Sequence, residues 1–550
     1  MIRRGRAEGW LELPISTMQT WADFNGISIH GVRVGPLPGY EERGSTVIAT
    51  RSLSGAEQAP LIKVPQHLVL SLTAVQQHAK VDQDFRQVLE ALDDFGREAI
   101  YLREGPSNSP LVLESVSLDR RNYIKYLPAE LLPTFWSDRE RELLIGTTLA
   151  PAVSAKKKSL YREFERLRSS TAHLPWCVRC WWDEVDGLVT FDDWLQVDAM
   201  YRSRALEFPG LGDCMVPCVD MANHTSGDVT AAVYERDGDG DALLLLRDGK
   251  AVEGGDEVTI TYGDEKGACE MVFSYGFIED RMESARSLFL DLSMLQDDPL
   301  KKAKATVSDA APGFRIFERD SQIGWEGDYI WLICVNEEDG LDFSVAQTVD
   351  GDRELRAFWK GQELKDVSNF KALLEPDPMW NVFQLRAVSL LQDRVASQLT
   401  TLYRSDERVE ATPRGEGTDV RDGPWGIAVH LRELESELLE KAYEHFEEQT
   451  PVMQDVFEKE GGAGSEPGQV TCMAKPKALV QSACLPESDG TIGSKSETEK
   501  LKGKPQASRA HQGGKAHETA QLKVRLAEDD VVKRYLASSG SEQETGEDFS

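Results

Sequence analysis

At 550 residues the chain exceeds what one hydrophobic core usually organises, so two folded units with some unstructured sequence are expected. Its 40% hydrophobic content and 12 tryptophans exclude a wholly disordered chain. The net charge of −32, from 94 acidic and 62 basic residues, argues against direct nucleic-acid binding and leaves either a basic partner or plain solubility as its meaning.

Residues 46–53 and 61–72 are rich in Val, Ile and Leu between turn formers, which predicts short buried strands. Phe85, Leu89, Leu92 and Phe95 recur at helical spacing. Ser137 with Glu140, and Thr190 with Asp193, have the spacing of capping boxes, so a helix is expected after each. The second of these helices carries Trp194, Val197 and Tyr201 on one face. Three β-type runs follow, at 229–234, 242–247 and 256–262, and the Asp-Gly turns between them predict a β-meander. From about Met282 helical periodicity dominates, with one apolar stripe from Leu385 to Leu402 and another from Leu431 to Ala442. The polar stretch 404–423 between them predicts a loop. After Pro451 the composition shifts to Gly, Ser, Glu, Lys and Gln, predicting a mostly disordered tail with room for one short helix near 526–536.

No run of about 18 apolar residues occurs, and residues 1–5 lack the apolar stretch of a secretory signal, so a soluble protein with no membrane partner is expected. Eight scattered cysteines fit reduced thiols in the cytoplasm or nucleus. Cys177, Cys180, Cys214 and Cys218 lack the spacing of a zinc site and are expected to be free thiols, with no metal bound.

Three motifs stand out: Pro217-Cys-Val-Asp-Met-Ala-Asn-His224, Gly255-Asp-Glu-Val-Thr-Ile-Thr-Tyr-Gly263 and Phe273-Ser-Tyr-Gly-Phe277. Taken alone, Asn-His after an apolar run also describes a turn with a satisfied core histidine, and Tyr262 an ordinary strand-end aromatic. Together, D-x-x-N-H followed by G-D-E-V-T-x-x-Y-G resembles the two signature motifs of SET-domain methyltransferases. Trp21-Ala-Asp-Phe-Asn-Gly26, His30-Gly31, the segment 43–51, Asn122-Tyr-Ile-Lys-Tyr-Leu-Pro128 and Tyr201-Arg-Ser-Arg204 look like the branch of the Rubisco large-subunit methyltransferase. The resemblance spans roughly residues 20 to 450. It departs at Thr46, where the branch commonly has a second glycine after Gly44, and in lacking a cysteine-rich zinc segment after the SET region.

The resemblance implies an α+β fold: an N-terminal extension (1–19), a SET domain of short sheets (20–281) with a helical insert at about 75–190, an all-α substrate-binding domain (282–450), and a mostly disordered tail (451–550). It also implies S-adenosyl-L-methionine as cofactor and a lysine-bearing protein, ribosomal or otherwise non-histone, as substrate. Gly44, Thr46, Arg204, Asp220, Asn223, His224, Tyr262 and Phe277 are the expected cofactor residues. Of these, Arg204 is assigned to the methionine carboxylate, which suits a guanidinium fork, and Asp220 chiefly to anchoring its loop. Asn223 and His224 are expected to face the ligand rather than the core. Tyr262 is the expected catalytic hydroxyl and Tyr275 a second one lining the acceptor channel. Two alternatives stay open: a histidine acceptor, against which the apolar Leu206 and Val219 count, and a catalytically silent SET fold serving as a binding module.

Overall fold

The computed structural model describes residues 12–92, 123–128, 132–183, 189–292, 298–308, 311–347, 353–364 and 370–460. Phe95, Asn122 and the 526–536 segment lie outside them. By internal contacts the chain divides into two units, one comprising Met1–Leu290, Arg315–Glu326 and Arg408–Leu438, the other Asp291–Phe314, Gly327–Glu407 and Leu439–Ser550.

The first unit opens with α1 (Met18–Phe24), β1 (Ser28–Ile29), β2 (Val32–Pro36), β3 (Ser45–Ala49), β4 (Leu53–Ser54) and β5 (Ile62–Val64). Helices follow: α2 (Leu72–Val81), α3 (Gln83–Ala91), α4 (Asp138–Glu142), α5 (Leu149–Thr171) and α6 (Phe191–Arg204). Then come β6 (Leu206–Phe208), β7 (Gly212–Cys214), β8 (Ala232–Arg236), β9 (Ala242–Leu246), β10 (Ala251–Val252) and α7 (Ala268–Tyr275). The strands are short because turn formers interrupt each apolar run, and among the described residues β1-β5-β9-β8 form a four-stranded sheet while β2-β3, β4-β10 and β6-β7 are pairs.

Both capping boxes form. The Ser137 hydroxyl accepts the Glu140 N–H while Glu140 receives the Ser137 N–H, and Thr190 and Asp193 do the same for α6. Trp194, Val197 and Tyr201 are buried as expected, but so are Gln196, Asp198 and Arg202 of the same helix. A single apolar stripe therefore understates how central α6 is. Its buried charges are paired: Asp198 meets Arg202 at 3.0 Å and Lys156 of α5 at 2.8 Å.

The expected meander holds only for its first two strands. The third run, 256–262, meets β8 at that strand's first residue, where Ala232 N–H donates to Thr259 O at 2.8 Å, and otherwise threads between distant segments. Val258 N–H donates to Val47 O at 2.8 Å and Ala49 N–H to Asp256 O at 2.9 Å, while Ile260 N–H donates to Asn223 O at 2.9 Å. Turn chemistry specifies a reversal but not which remote backbone will satisfy the next segment's donors.

After Met282 the helical expectation needs correction. The described residues of 287–364 include the strands β11 (Ser287–Asp291), β12 (Gly313–Arg319), β13 (Gln322–Glu326), β14 (Leu341–Gln347), β15 (Arg353–Trp359) and β16 (Gln362–Leu364). They form two three-stranded antiparallel sheets, β11-β12-β13 and β14-β15-β16. Short helices at Lys301–Val307, Asp328–Ile333 and Phe370–Leu374 lie among and after these strands, and two long helices follow, α8 (Trp380–Glu410) and α9 (Asp422–Glu460). The predicted loop is thus shorter, and α9 runs past Pro451 to Glu460. Both apolar stripes are buried apart from Leu385, which is half-buried where Phe383 and Ala387 turn inward.

Within the first unit, Arg421 just before α9 and Glu435 within it hold α4 and the residue that precedes α5. Arg421 pairs with Glu140 through two contacts of 2.7 Å. Fully buried Glu435 receives the Thr148 N–H at 2.8 Å and the Thr148 hydroxyl at 2.6 Å, just ahead of α5. Burial pushes the Glu435 carboxyl up to about 7, outweighing the Thr148 donors and Arg432, which pull it down. Its folded value lies above its unfolded one, so its stabilisation is full below the ordinary value of 4.5 and is lost as pH rises through about 7. Wild-type protein is expected to lose thermal stability relative to Glu435→Gln between about pH 5 and 8. Melting curves whose difference stays constant over that range would refute this.

Candidate active site

The site is built on the turn 217–224, which is held from two sides. Arg204, last residue of α6, donates to Asp220 O at 3.2 Å and reaches Met221 Sδ at 3.5 Å. The buried Asp220 carboxylate accepts the Tyr123 hydroxyl, and Tyr123 stacks on Trp21 with ring centroids 5.9 Å apart. Burial, with Asp220 alongside, pushes the Tyr123 hydroxyl far above its ordinary value, so it stays a donor. Asp220 thus ties its loop to Tyr123.

The turn presents Ala222, Asn223 and His224 to the threaded segment. Tyr262, 40 residues after Ala222, donates its hydroxyl proton to Ala222 O at 2.9 Å. The Tyr262 backbone N–H donates to His224 Nδ1, also at 2.9 Å. An imidazole nitrogen that accepts carries no proton, so the neutral ring holds its proton on Nε2. That nitrogen faces Glu279 Oε1 at 3.1 Å. Both ring nitrogens of His224 are therefore engaged within the protein and its side chain is fully buried. The expectation that this side chain faces a ligand is corrected here: its ring belongs to the core, and only its neighbour is turned outward.

That neighbour, Asn223, is half-buried, and its Nδ2 donates to Glu257 Oε1 at 2.7 Å. A carboxylate only accepts, so Glu257 dictates which way the amide faces and leaves Asn223 Oδ1 as the atom to meet a ligand donor. Arg43, from the loop before β3, lies 3.8 Å from the same Glu257.

Glu279 is more heavily held. It accepts from the Ser226 hydroxyl at 2.7 Å and from Arg286 at 3.1 Å as well as from His224. Burial pushes its carboxyl up, yet Ser226, His224 and Arg286 together outweigh burial and hold it below the usual carboxylate value.

Two aromatic rings adjoin the His224 ring and a third joins them. It stacks on Tyr262 at 5.1 Å, Tyr262 meets Tyr275 at 4.6 Å, and Phe277 lies 6.4 Å from both His224 and Tyr275. Burial raises the Tyr275 hydroxyl well above its ordinary value, so this group is also neutral. Gly276 ends α7 in a left-handed conformation, φ +80°, which turns the chain so that Phe277 comes back beside Tyr275.

Of the expected cofactor residues, Arg204, Asp220, Asn223, His224, Tyr262 and Phe277 join one connected cluster. Gly44 and Thr46 reach it only through their neighbours Arg43 and Val47. Gly44 has φ +78° and ψ −153°, a conformation open essentially to glycine, and a Cβ there would meet nothing within 4 Å. Backbone shape rather than packing requires it. Thr46 is 1% exposed and its hydroxyl has no hydrogen-bond partner among the described residues, so its side chain lies in the interior rather than on the ligand side of the loop. Sequence reasoning missed Glu257, Glu279, Ser226 and Arg286. Glu257 stands inside the G-D-E motif and Glu279 two residues past Phe277, so both were within the informative stretch, but nothing local marks Arg286.

Among solved structures, the SET domain of LSMT bound to methyl-lysine and AdoHcy aligns with a TM-score of 0.57 at 20% identity, covering 83% of this chain and 98% of that one. The Rubisco LSMT bound to AdoMet aligns at 0.54 with equal coverage. This chain has the LSMT SET-domain fold. SET domain-containing protein 8 of Schizosaccharomyces pombe is 27% identical over 302 residues, 52% of this chain and 65% of that protein. The Rubisco large-subunit N-methyltransferase of Pisum sativum is 30% identical over 200 residues, 34% of this chain and 39% of that enzyme. The chain thus spans less than two thirds of the length of these curated relatives. No family model matches it.

Within this SET fold the Asn-His pair separates into two roles that stability measurements distinguish. His224→Ala leaves the Tyr262 N–H without its acceptor, removes one of the donors to Glu279 and opens a cavity in the core, and is expected to cost about 2–4 kcal/mol. Asn223→Ala, at a half-buried position, is expected to cost less than about 1 kcal/mol. Urea midpoints of the two variants falling by equal amounts would refute the distinction.

Proposed function

We propose that the chain is an S-adenosylmethionine-dependent protein-lysine N-methyltransferase acting on a non-histone protein. The observation that carries this reading is the Tyr262 hydroxyl, its proton directed to Ala222 O and its ring set between His224 and Tyr275. A hydroxyl that donates to a carbonyl turns its own oxygen into an acceptor, suited to an amine N–H or to a methyl group carrying positive charge. The residues present fit such a donor: Asn223 Oδ1 would accept from an amine of it, the Arg204 guanidinium would meet its carboxylate, Phe277 would wall it, and Gly44 offers backbone without a side chain. Bound there, the donor supplies an electrophilic methyl group.

The protein's own part is alignment and proton control. A lysine with a reference pKa of about 10.4 must arrive as the neutral amine, and the desolvating rings of Tyr262, Tyr275 and Phe277 favour that form. No side chain need act as base, and both tyrosine hydroxyls serve orientation. The lysine acceptor is supported by a relative named as a lysine N-methyltransferase of fructose-bisphosphate aldolase, and the non-histone substrate by that relative and by one named as an N-methyltransferase of the Rubisco large subunit. A net charge of −32 also suits a basic acceptor segment. For its place of action we propose cytoplasm or nucleus, supported by free thiols at all six described cysteines.

Two measurements test this. Tritiated S-adenosylmethionine with unfractionated protein from cells lacking this chain is expected to label lysine, identified by mass spectrometry; label only on histidine would overturn the acceptor. Tyr262→Phe is expected to lower kcat by about 10² to 10³ with calorimetric affinity for the donor unchanged. A wild-type rate in this variant would remove Tyr262 from the mechanism and shift the role to Tyr275.

A further inference from the structure

We infer that Glu279 is a positioning residue for Tyr262, acting by locking the tautomer of His224; the inference rests on the reading of Tyr262 as the methyl-transfer hydroxyl. The Tyr262 backbone is tied to the Asn-His turn by its N–H, which needs an unprotonated Nδ1 on His224. A neutral imidazole satisfies that only when its proton resides on Nε2. Glu279 accepts at Nε2 and so selects this tautomer. With the proton on Nδ1 instead, two N–H groups would confront each other and the tie to Tyr262 would be lost.

The carboxylate is itself fixed by independent contacts. Ser226, two residues past His224, donates to Oε2, and Arg286, at the start of β11, donates to Oε1. Arg286 also donates to Asp264 O and Lys266 O, each at 3.1 Å, in the loop that follows Tyr262. It does so from a left-handed backbone, φ +58°, a conformation that costs a non-glycine residue energy and persists only where surrounding contacts enforce it. One carboxylate therefore joins the Asn-His turn, the residues after Tyr262 and β11. It orients a catalytic side chain through the histidine, as outer partners of metal-bound histidines do.

The test uses the full-length protein labelled with 15N-histidine. Among nine histidines, His224 is identified by the signal absent from His224→Asn. At neutral pH wild type is expected to show His224 neutral with its proton on Nε2. Glu279→Ala is expected to shift the signal toward the other tautomer and to lower kcat by about 10-fold or more, while KM for S-adenosylmethionine changes less than about threefold. Glu279→Gln keeps an acceptor oxygen and is expected to retain the tautomer and most of the rate. A wild-type His224 protonated on Nδ1 overturns the inference without reference to activity. So does a Glu279→Gln variant as slow as Glu279→Ala, since that would make charge rather than tautomer decisive. A Tyr262→Phe enzyme of normal rate instead removes the catalytic reading, whatever the His224 spectrum shows.

Discussion

Everything at the site depends on how the segment 256–262 satisfies its backbone. Val258 and Ile260 are fully buried, and a buried peptide group without a partner is costly, so their N–H groups must find carbonyls. They find them on opposite sides, at Val47 and at Asn223. The threaded segment thereby fastens the first loop, with its Gly44, to the Asn-His turn, and delivers Tyr262 at its end. Neither strand pair nor helix alone would bring these three stretches together.

Around this backbone framework, carboxylates set the directions of the polar side chains. Glu257 turns the Asn223 amide, Glu279 sets the His224 tautomer, Glu140 serves both a helix cap and Arg421, and Glu435 receives both Thr148 donors. Whether such a group stays ionised is a contest between burial and donors. At Glu140 and Glu279 the donors, an arginine among them, outweigh burial and the carboxyl falls below its ordinary value. At Glu435 complete burial prevails over two neutral donors and a more remote arginine. The acidic groups beside the aromatic cluster are thus held as acceptors, while the tyrosine hydroxyls remain donors.

The aromatic cluster has a similar economy. Tyr262, Tyr275, Phe277 and His224 lie in ring contact, and three of the four come from two motifs that sit close together in the chain. The helix α7 and its glycine cap supply the geometry between Tyr275 and Phe277. Arg202, buried in α6, donates to Phe273 O at 2.7 Å and lies over the Phe273 ring, fixing α7 two residues before Tyr275.

What the sequence by itself determined is local or repetitive. The capping boxes at Ser137 and Thr190, the stripes of α8 and α9, and the Gly-bearing turns are encoded within a few residues, and the paired Asn-His and Tyr-Gly motifs pointed to one fold. Local patterning failed where strands are too short to show a period, as in 287–364, and where helix α6 is buried all round. Only the tertiary structure decided that 256–262 would leave the meander, that His224 would be a core residue, and that Glu257 and Glu279 would hold side chains 34 and 55 residues away. Glu140 and Arg421 are 281 residues apart, and Thr148 and Glu435 287. A charge-assisted hydrogen bond between remote residues leaves no periodic trace in the chain. Its partner is chosen by which donors the folded backbone leaves within reach of a buried acceptor.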